Sequence, residues 1–321
     1  MTMEASAARK ASEEIYTTHQ QKIRYEGVRG PTLEELRTLE QARKIVIEYL
    51  QFIGSAEGVG RMKKLELEKI RIYENKFFLY EGKWHEIRVQ GHHAFDNIQE
   101  FPRQTVESPV FLHVSVHEFF HHASHGRSAF VETADGNYVR KASGISTLPI
   151  GRNPKEALKK IHFVALNEAA TETLTRYSLP EDAIVAHGGF YDMYRFLLQI
   201  LLRKIVLDRS ASDPSFGLKE AWHIFQEDYF SGTHKFLSEV QKSYGKDMPK
   251  MLANFGKSRD TDLELLEKVH PSSEEDFSGE YFYGHVVLMV EGNDSKATQE
   301  LNKFDAELRA LVAPRKNPSQ Q

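Results

Sequence analysis

Two histidines four residues apart, His117 and His121, with Glu118 directly after the first, are the residues of this chain best placed to do chemistry. On an α-helix, positions i and i+4 stack on one face, so both imidazoles can reach a single metal ion. Glu118 then stands beside that ion, where a carboxylate can take a proton from water. The chemistry such a set permits is metal-assisted hydrolysis. A short pattern needs context, and the flanks supply it. Leu112, Val116, Phe119 and Ala123 recur at helical spacing, so one face of the helix is buried. No glycine or proline interrupts the run until Gly126, which ends it.

A catalytic zinc site takes three protein ligands and leaves a position for water. The third ligand must be a His, Glu or Asp on a separate element. Glu168 is the choice here. It lies on an expected helix, His162 to Tyr177, that stops before Pro180. Glu172 shares its face four residues on, and Ala165, Ala169 and Ala170 permit close approach to another helix. Glu132 and Asp135 are alternative carboxylates, but they fall in an expected hairpin. His113 and His125 extend the stripe of His117 and His121. A straight helix cannot surround an ion tetrahedrally, so they are read as lining or surface residues. His122 faces away, toward the helix surface or the sheet. His92 and His93 are adjacent, and the pair reads as a surface loop.

His117-Glu-x-x-His121 followed by Asn167-Glu168-x-x-Thr171-Glu172 resembles the gluzincin, thermolysin-like branch of the zincin metallopeptidases. That likeness covers about 111 to 177. It implies a zincin-like α+β fold, a mostly antiparallel sheet followed by a helical subdomain with the site between them. It also implies one Zn2+ ion held by His117, His121 and Glu168, with Glu118 as general base. Glu172 would accept a hydrogen bond from a ligand histidine. The family often has Asp at that position, so Glu is a departure. Asn167 would hold backbone near the substrate strand. A donor to the oxyanion would come from His187, Tyr191 or Tyr194, with Tyr191 placed first. The implied activity is hydrolysis of peptide bonds in a peptide or protein substrate. Cleavage of a single intracellular repressor or partner is a narrower form of it. A protein of this fold that uses zinc for structure or regulation and binds a protein partner, without catalysis, is the other reading.

Composition narrows the field further. The chain of 321 residues has no cysteine, which excludes disulfides, Cys-ligated metals and a thiol nucleophile. Any transition metal must sit on histidines and carboxylates. A net charge of −4 gives no electrostatic case for nucleic acid or an anionic membrane. The N-terminus has no apolar core of a signal peptide and no apolar run reaches membrane length, so a cytoplasmic location is expected.

The elements that must position the site follow in chain order. Residues 1 to about 30 read as a loosely docked polar arm. Thr32 caps a long helix that ends at Gly54, with Glu34 and Glu35 in its first turn. Residues 57 to 62 read as a turn. Strands are expected at Leu65 to Tyr73, Lys76 to Tyr80 and Trp84 to Val89, the last two joined by a tight turn at Glu81 to Lys83. A hairpin over Phe130 to Thr133 and Tyr138 to Arg140 follows, then a loop over 149 to 156. Helices are expected over Phe190 to Val206, Leu218 to Tyr244, Asp247 to Phe255 and 297 to 312, with a strand or hairpin over Ser278 to Val290. The expected division is an N-terminal arm and helix (1–56), a zincin-like domain (57–270) and a C-terminal extension (271–321).

Overall fold

Helix-forming residues, rather than an apolar stripe, decide the N-terminus. Ala5, Ala7, Ala8 and Ala11 with Glu13 and Glu14 favour a helix without marking a buried face. The computed structural model describes residues 3–87, 92–93, 99–133, 137–150, 161–184, 190–255, 262, 265, 268–269 and 295–312. In it the expected arm is a helix, α1 (Met3–Gln20), followed by strand β1 (Ile23–Glu26).

The next helix, α2 (Leu33–Phe52), opens as expected at Thr32. Its hydroxyl accepts from the Glu35 amide at 3.3 Å, and the Glu35 carboxylate accepts from the Thr32 amide at 2.6 Å, a complete capping box. Arg29 grips the same carboxylate with two bonds of 2.6 Å. Leu39, Ala42, Val46, Tyr49 and Leu50 form the buried face. The expected turn over 57 to 62 is instead a helix, α3 (Ala56–Lys63). Its glycines suggested a turn, but Gly58 serves contact: a Cβ there would lie 2.9 Å from Leu50 Cδ2.

Nine short strands make three three-stranded sheets among the described residues. After β1 come β2 (Arg71–Tyr73), β3 (Asn75–Tyr80), β4 (Lys83–Glu86), β5 (His92–His93) and β6 (Gln99–Pro102). β1, β3 and β4 form an antiparallel sheet whose tight turn has positive φ at Glu81 and Gly82. The Leu65–Tyr73 segment is extended only at its end; Leu67–Lys69 is a 3₁₀ turn. β2 pairs with β6 in parallel, and β6 with β5 antiparallel, so the His92–His93 pair belongs to a short strand rather than a loop. The fully buried Glu100 of β6 joins two sheets: it accepts from Lys76 (2.7 Å) and Arg71 (3.1 Å), and from the Tyr25 hydroxyl (2.7 Å).

After the single turn α4 (Arg103–Val106) comes α5 (Phe111–Ala123), which carries the histidine motif. Val116, Phe119 and Ala123 are fully buried, as their spacing requires. Phe120 meets Tyr49 of α2 edge to face at 5.7 Å. The expected hairpin is a three-stranded meander: β7 (Gly126–Val131), β8 (Tyr138–Ser143) and β9 (Ser146–Ile150). α1 lies against it, with Tyr16 Oη 3.1 Å from Ser128 Oγ.

The rest is helical: α6 (Val164–Ser178), α7 (Phe190–Ser210), α8 (Leu218–Ser231), α9 (Lys235–Tyr244), α10 (Met248–Asn254) and α11 (Ser295–Val312). The expected single helix over Leu218 to Tyr244 breaks in two at Gly232, which takes φ +64° with the His125 ring packed beneath it. Asp228 starts α9 again by accepting from the amides of Lys235 (2.7 Å) and Phe236 (2.9 Å). The expected strand over Ser278 to Val290 lies outside the described residues, as does most of the expected 149 to 156 loop. Buried side chains from α2, α5, α6, α7, α8, α9, α10 and α11 form one core. The architecture is therefore α+β, with α5 and α6 side by side inside it. No helix among the described residues is long and apolar enough to cross a membrane.

The α2 cap gives a pH test. The hydrogen bonds from Arg29 hold Glu35 down at about 2, against an ordinary value of 4.5. A carboxyl depressed by folding adds stability above its unfolded value and loses it as pH falls toward the folded one. Thermal midpoints of the wild type should therefore fall between pH 4.5 and 2 by more than those of Glu35→Gln, which lacks the titrating group. Parallel curves for the two proteins would show that this pair adds nothing to the fold.

Candidate metal centre

Helix α5 is buried nearly all round, so its polar residues must find partners inside the protein. The small residues Ala165, Ala169 and Ala170 let α6 approach, and Glu168 and Glu172 then face the histidines across the helix pair. Glu168 Oε2 lies 3.2 Å from His117 Nε2 and 3.4 Å from His121 Nε2, and the two nitrogens are 3.2 Å apart. Among the described residues, these are the three whose donor atoms close on one point. Ligand atoms at the corners of a tetrahedron with bonds of about 2.05 Å are about 3.3 Å apart. The three edges fit that figure, so the donor set fits a small divalent cation with His₂Glu ligation.

The far nitrogens are held so that the near ones stay free to ligate. His117 Nδ1 donates to Glu172 Oε2 at 3.2 Å, so the neutral ring carries its lone pair on Nε2, the atom that faces Glu168. His121 Nδ1 meets Thr171 Oγ1 at 3.3 Å. That hydroxyl donates to the Asn167 carbonyl at 2.8 Å and is 2.7 Å from Tyr229 Oη. One consistent assignment has Tyr229 donating to Thr171, and Thr171 accepting from His121. Asn167 also reaches outward: its Oδ1 accepts from the Ile145 amide at 3.2 Å and fixes the β8–β9 turn against α6.

Glu172 is fully buried and carries three donors. Besides His117, His113 Nε2 lies 3.2 Å from Oε2, and Arg176 Nε donates to Oε1 at 2.7 Å. Burial opposes its charge, but the bonds from His113 and His117 outweigh it and hold the carboxyl well below the usual range. Burial likewise opposes a charged His117, yet Glu168 and Glu172 raise it to about 10. Glu168 is held low by His121 and His117 despite its own desolvation. Glu118, 8% exposed, adds its negative charge to His117. The protein has gathered carboxylates around one imidazole, an environment that calls for a cation.

Tyr191, at the start of α7, places its ring 5.4 Å from that of His117. Burial, with Glu168, Glu118 and Glu172 around it, pushes its phenol up, so it keeps its proton and can donate. Tyr194 packs instead on Phe255, at 6.0 Å. His187 and Asp135 lie outside the described residues, and Glu132 is exposed beyond β7. His113, expected as a lining or surface residue, is fully buried because it serves Glu172. His125 is half-buried under Gly232. His122 lies 3.3 Å from the Arg61 carbonyl of α3.

Three partners were not read from the sequence. Arg176 follows Glu172 by four residues, a spacing that could have shown it. It also sits 3.2 Å from Asp192, which accepts from Arg195 at 2.9 Å, and Arg195 in turn pairs with Asp305 of α11. Tyr229, from α8, had no local signal, and Thr171 had one in the motif but no assigned role. No protein-family model matches this chain, and comparison with curated proteins and with solved structures gives no significant match.

Two variants separate ligand from support. Glu172→Gln should weaken metal binding by roughly 10–100-fold, measured by competition with a chromogenic chelator. Glu168→Ala, at the better exposed position, should weaken it by more. Unchanged zinc content in Glu168→Ala would remove Glu168 from the ligand set.

Proposed function

We propose that this protein is a zinc-dependent peptidase of gluzincin type. The observation that carries the reading is the meeting of His117, His121 and Glu168 with tetrahedral spacing, backed by Glu172 and flanked by Glu118. The donor set is nitrogen and oxygen, as a chain without cysteine requires, and His₂Glu ligation suits zinc. A bound zinc ion supplies an activated water and a Lewis acid for the scissile carbonyl.

The chain's own residues do the rest. Glu118 takes a proton from the attacking water as oxygen adds to the carbonyl carbon. It returns that proton to the nitrogen as the C–N bond breaks, leaving a carboxylic acid and an amine. Tyr191, kept protonated by burial and by the surrounding carboxylates, donates to the oxygen that gains charge. Glu172 favours the His117 tautomer that ligates, and Thr171 and the Asn167 amide, both 3.3 Å from Nδ1, hold the His121 ring in place. Asn167 ties the turn at Ile145 to the ligand helix, which keeps the β7–β9 sheet in register with the site. Peptide or protein is the substrate class, and the cytoplasm is the proposed setting.

The test is Glu118→Gln on a mixed peptide library, with metal content measured in parallel. Cleavage should fall by about 10²–10⁴-fold while one equivalent of zinc stays bound. If neither wild type nor variant cleaves while both bind zinc, the protein is a non-catalytic zinc protein that acts through a partner.

A further inference from the structure

A cleft of about 530 Å³ opens beside the metal cluster, with His121 in its wall. The rest of that wall comes from the end of α5, from β7 and β8, from Gln99 of β6, and from α3 and the segment after it. Its charge is one-sided. Arg61, Lys64, Lys69, Arg127 and Lys141 line it, against the single acid Glu66. Glu66 is taken up by Lys69 at 2.9 Å. Arg61 is fixed in place by donating to the carbonyls of Ala123 (2.8 Å) and Phe230 (2.7 Å), so its charge stays at the cleft. Glu57 meets Arg61 at 3.4 Å from an exposed position outside the wall. A chain with net charge −4 thus concentrates positive charge at the cleft that adjoins its proposed metal.

The same wall offers backbone. β7 is an edge strand among the described residues, and its exposed half, Gly126 to Ser128, lines the cleft together with the paired residues Lys141 to Ser143 of β8, with Ser128 also meeting Tyr16 of α1. An extended peptide can pair with such an edge while its side chains meet the charges beside it.

We infer that this cleft is the substrate-recognition subsite of the centre and that it selects peptides with Asp or Glu side chains within a few residues of the bond presented to the metal. The inference rests on the metallopeptidase reading and names its substrate class. A peptide fits better than a nucleic acid. The positive charge lines a cleft of a few residues' volume on a chain of net charge −4, and the edge strand beside it offers backbone groups of the kind an extended peptide pairs with.

The experiment titrates zinc-loaded Glu118→Gln protein with labelled decapeptides of equal length that are acidic, neutral or basic, at low and high salt. A single-stranded DNA oligonucleotide serves as competitor. The acidic peptide should bind roughly tenfold tighter than the neutral one at low salt, and the preference should shrink at high salt. The double variant Lys64→Glu/Arg127→Glu, at two exposed positions, should remove that preference. Equal binding of the three peptides overturns the inference, as does a preference that survives the double variant. Displacement of the peptide by DNA at lower concentration also overturns it, in favour of a nucleic-acid cleft. Acid-selective binding by a protein whose wild type cleaves nothing keeps the subsite and rejects the peptidase. Cleavage without acid preference does the reverse.

Discussion

Glu172 is the residue on which this structure turns. A carboxylate with no exposed surface is expensive, with an effective penalty of several kcal/mol in a protein interior. It persists here because His113, His117 and Arg176 all give it hydrogen bonds. The net stability from such a cluster is small, since desolvation consumes most of the attraction. What the cluster supplies is geometry. It ties α5 to α6 at the rotation that brings Glu168 opposite His117 and His121. Its reach is longer than the helix pair. Through Arg176, Asp192 and Arg195 the ion pairs run to Asp305, so α6, α7 and the C-terminal helix α11 share one buried polar seam.

The two histidines proposed as ligands are supported differently, and the difference has chemical content. His117 leans on a carboxylate, which makes its ring the stronger donor. His121 leans on the neutral hydroxyl of Thr171, itself held by Tyr229 and the Asn167 carbonyl. The neutral chain also ties His121 to the sheet side, because Asn167 grips the β8–β9 turn and His121 lines the basic cleft. One histidine is anchored to the helical core, and the other opens on the basic cleft.

The centre was legible in sequence because its members sit at helical intervals. His117 with His121, and Glu168 with Glu172, are each four apart, and that spacing alone puts each pair on one face. Tyr191 was legible only as one aromatic among three. The supports from distant chain were not: Tyr229 and Asp305 reach the site through tertiary packing that no local pattern records. The fold shows the same division. The Thr32 cap, the Glu81–Gly82 turn and the β7–β8 hairpin follow from local chemistry. α1 was missed because its signal is propensity without a stripe. α3 was missed because Gly58 was taken for a turn residue when its role is contact with Leu50. The break at Gly232 was missed because apolar periodicity runs on through it, and the interruption depends on the His125 ring and the Asp228 cap.

Charge argues last for what the centre holds. Glu118, Glu168 and Glu172 bring three negative charges into a region that is buried or nearly so, and Arg176 returns one positive. With neutral histidines the cluster is two charges short of balance. One proton on His117, which the carboxylates favour, halves that deficit. A divalent cation at the point where the three donor atoms meet would remove it. In a low-dielectric interior, uncompensated charge is among the costliest things a protein can keep. The charge of the cluster and the 3.2–3.4 Å donor spacing are each compatible with the small divalent metal proposed for it.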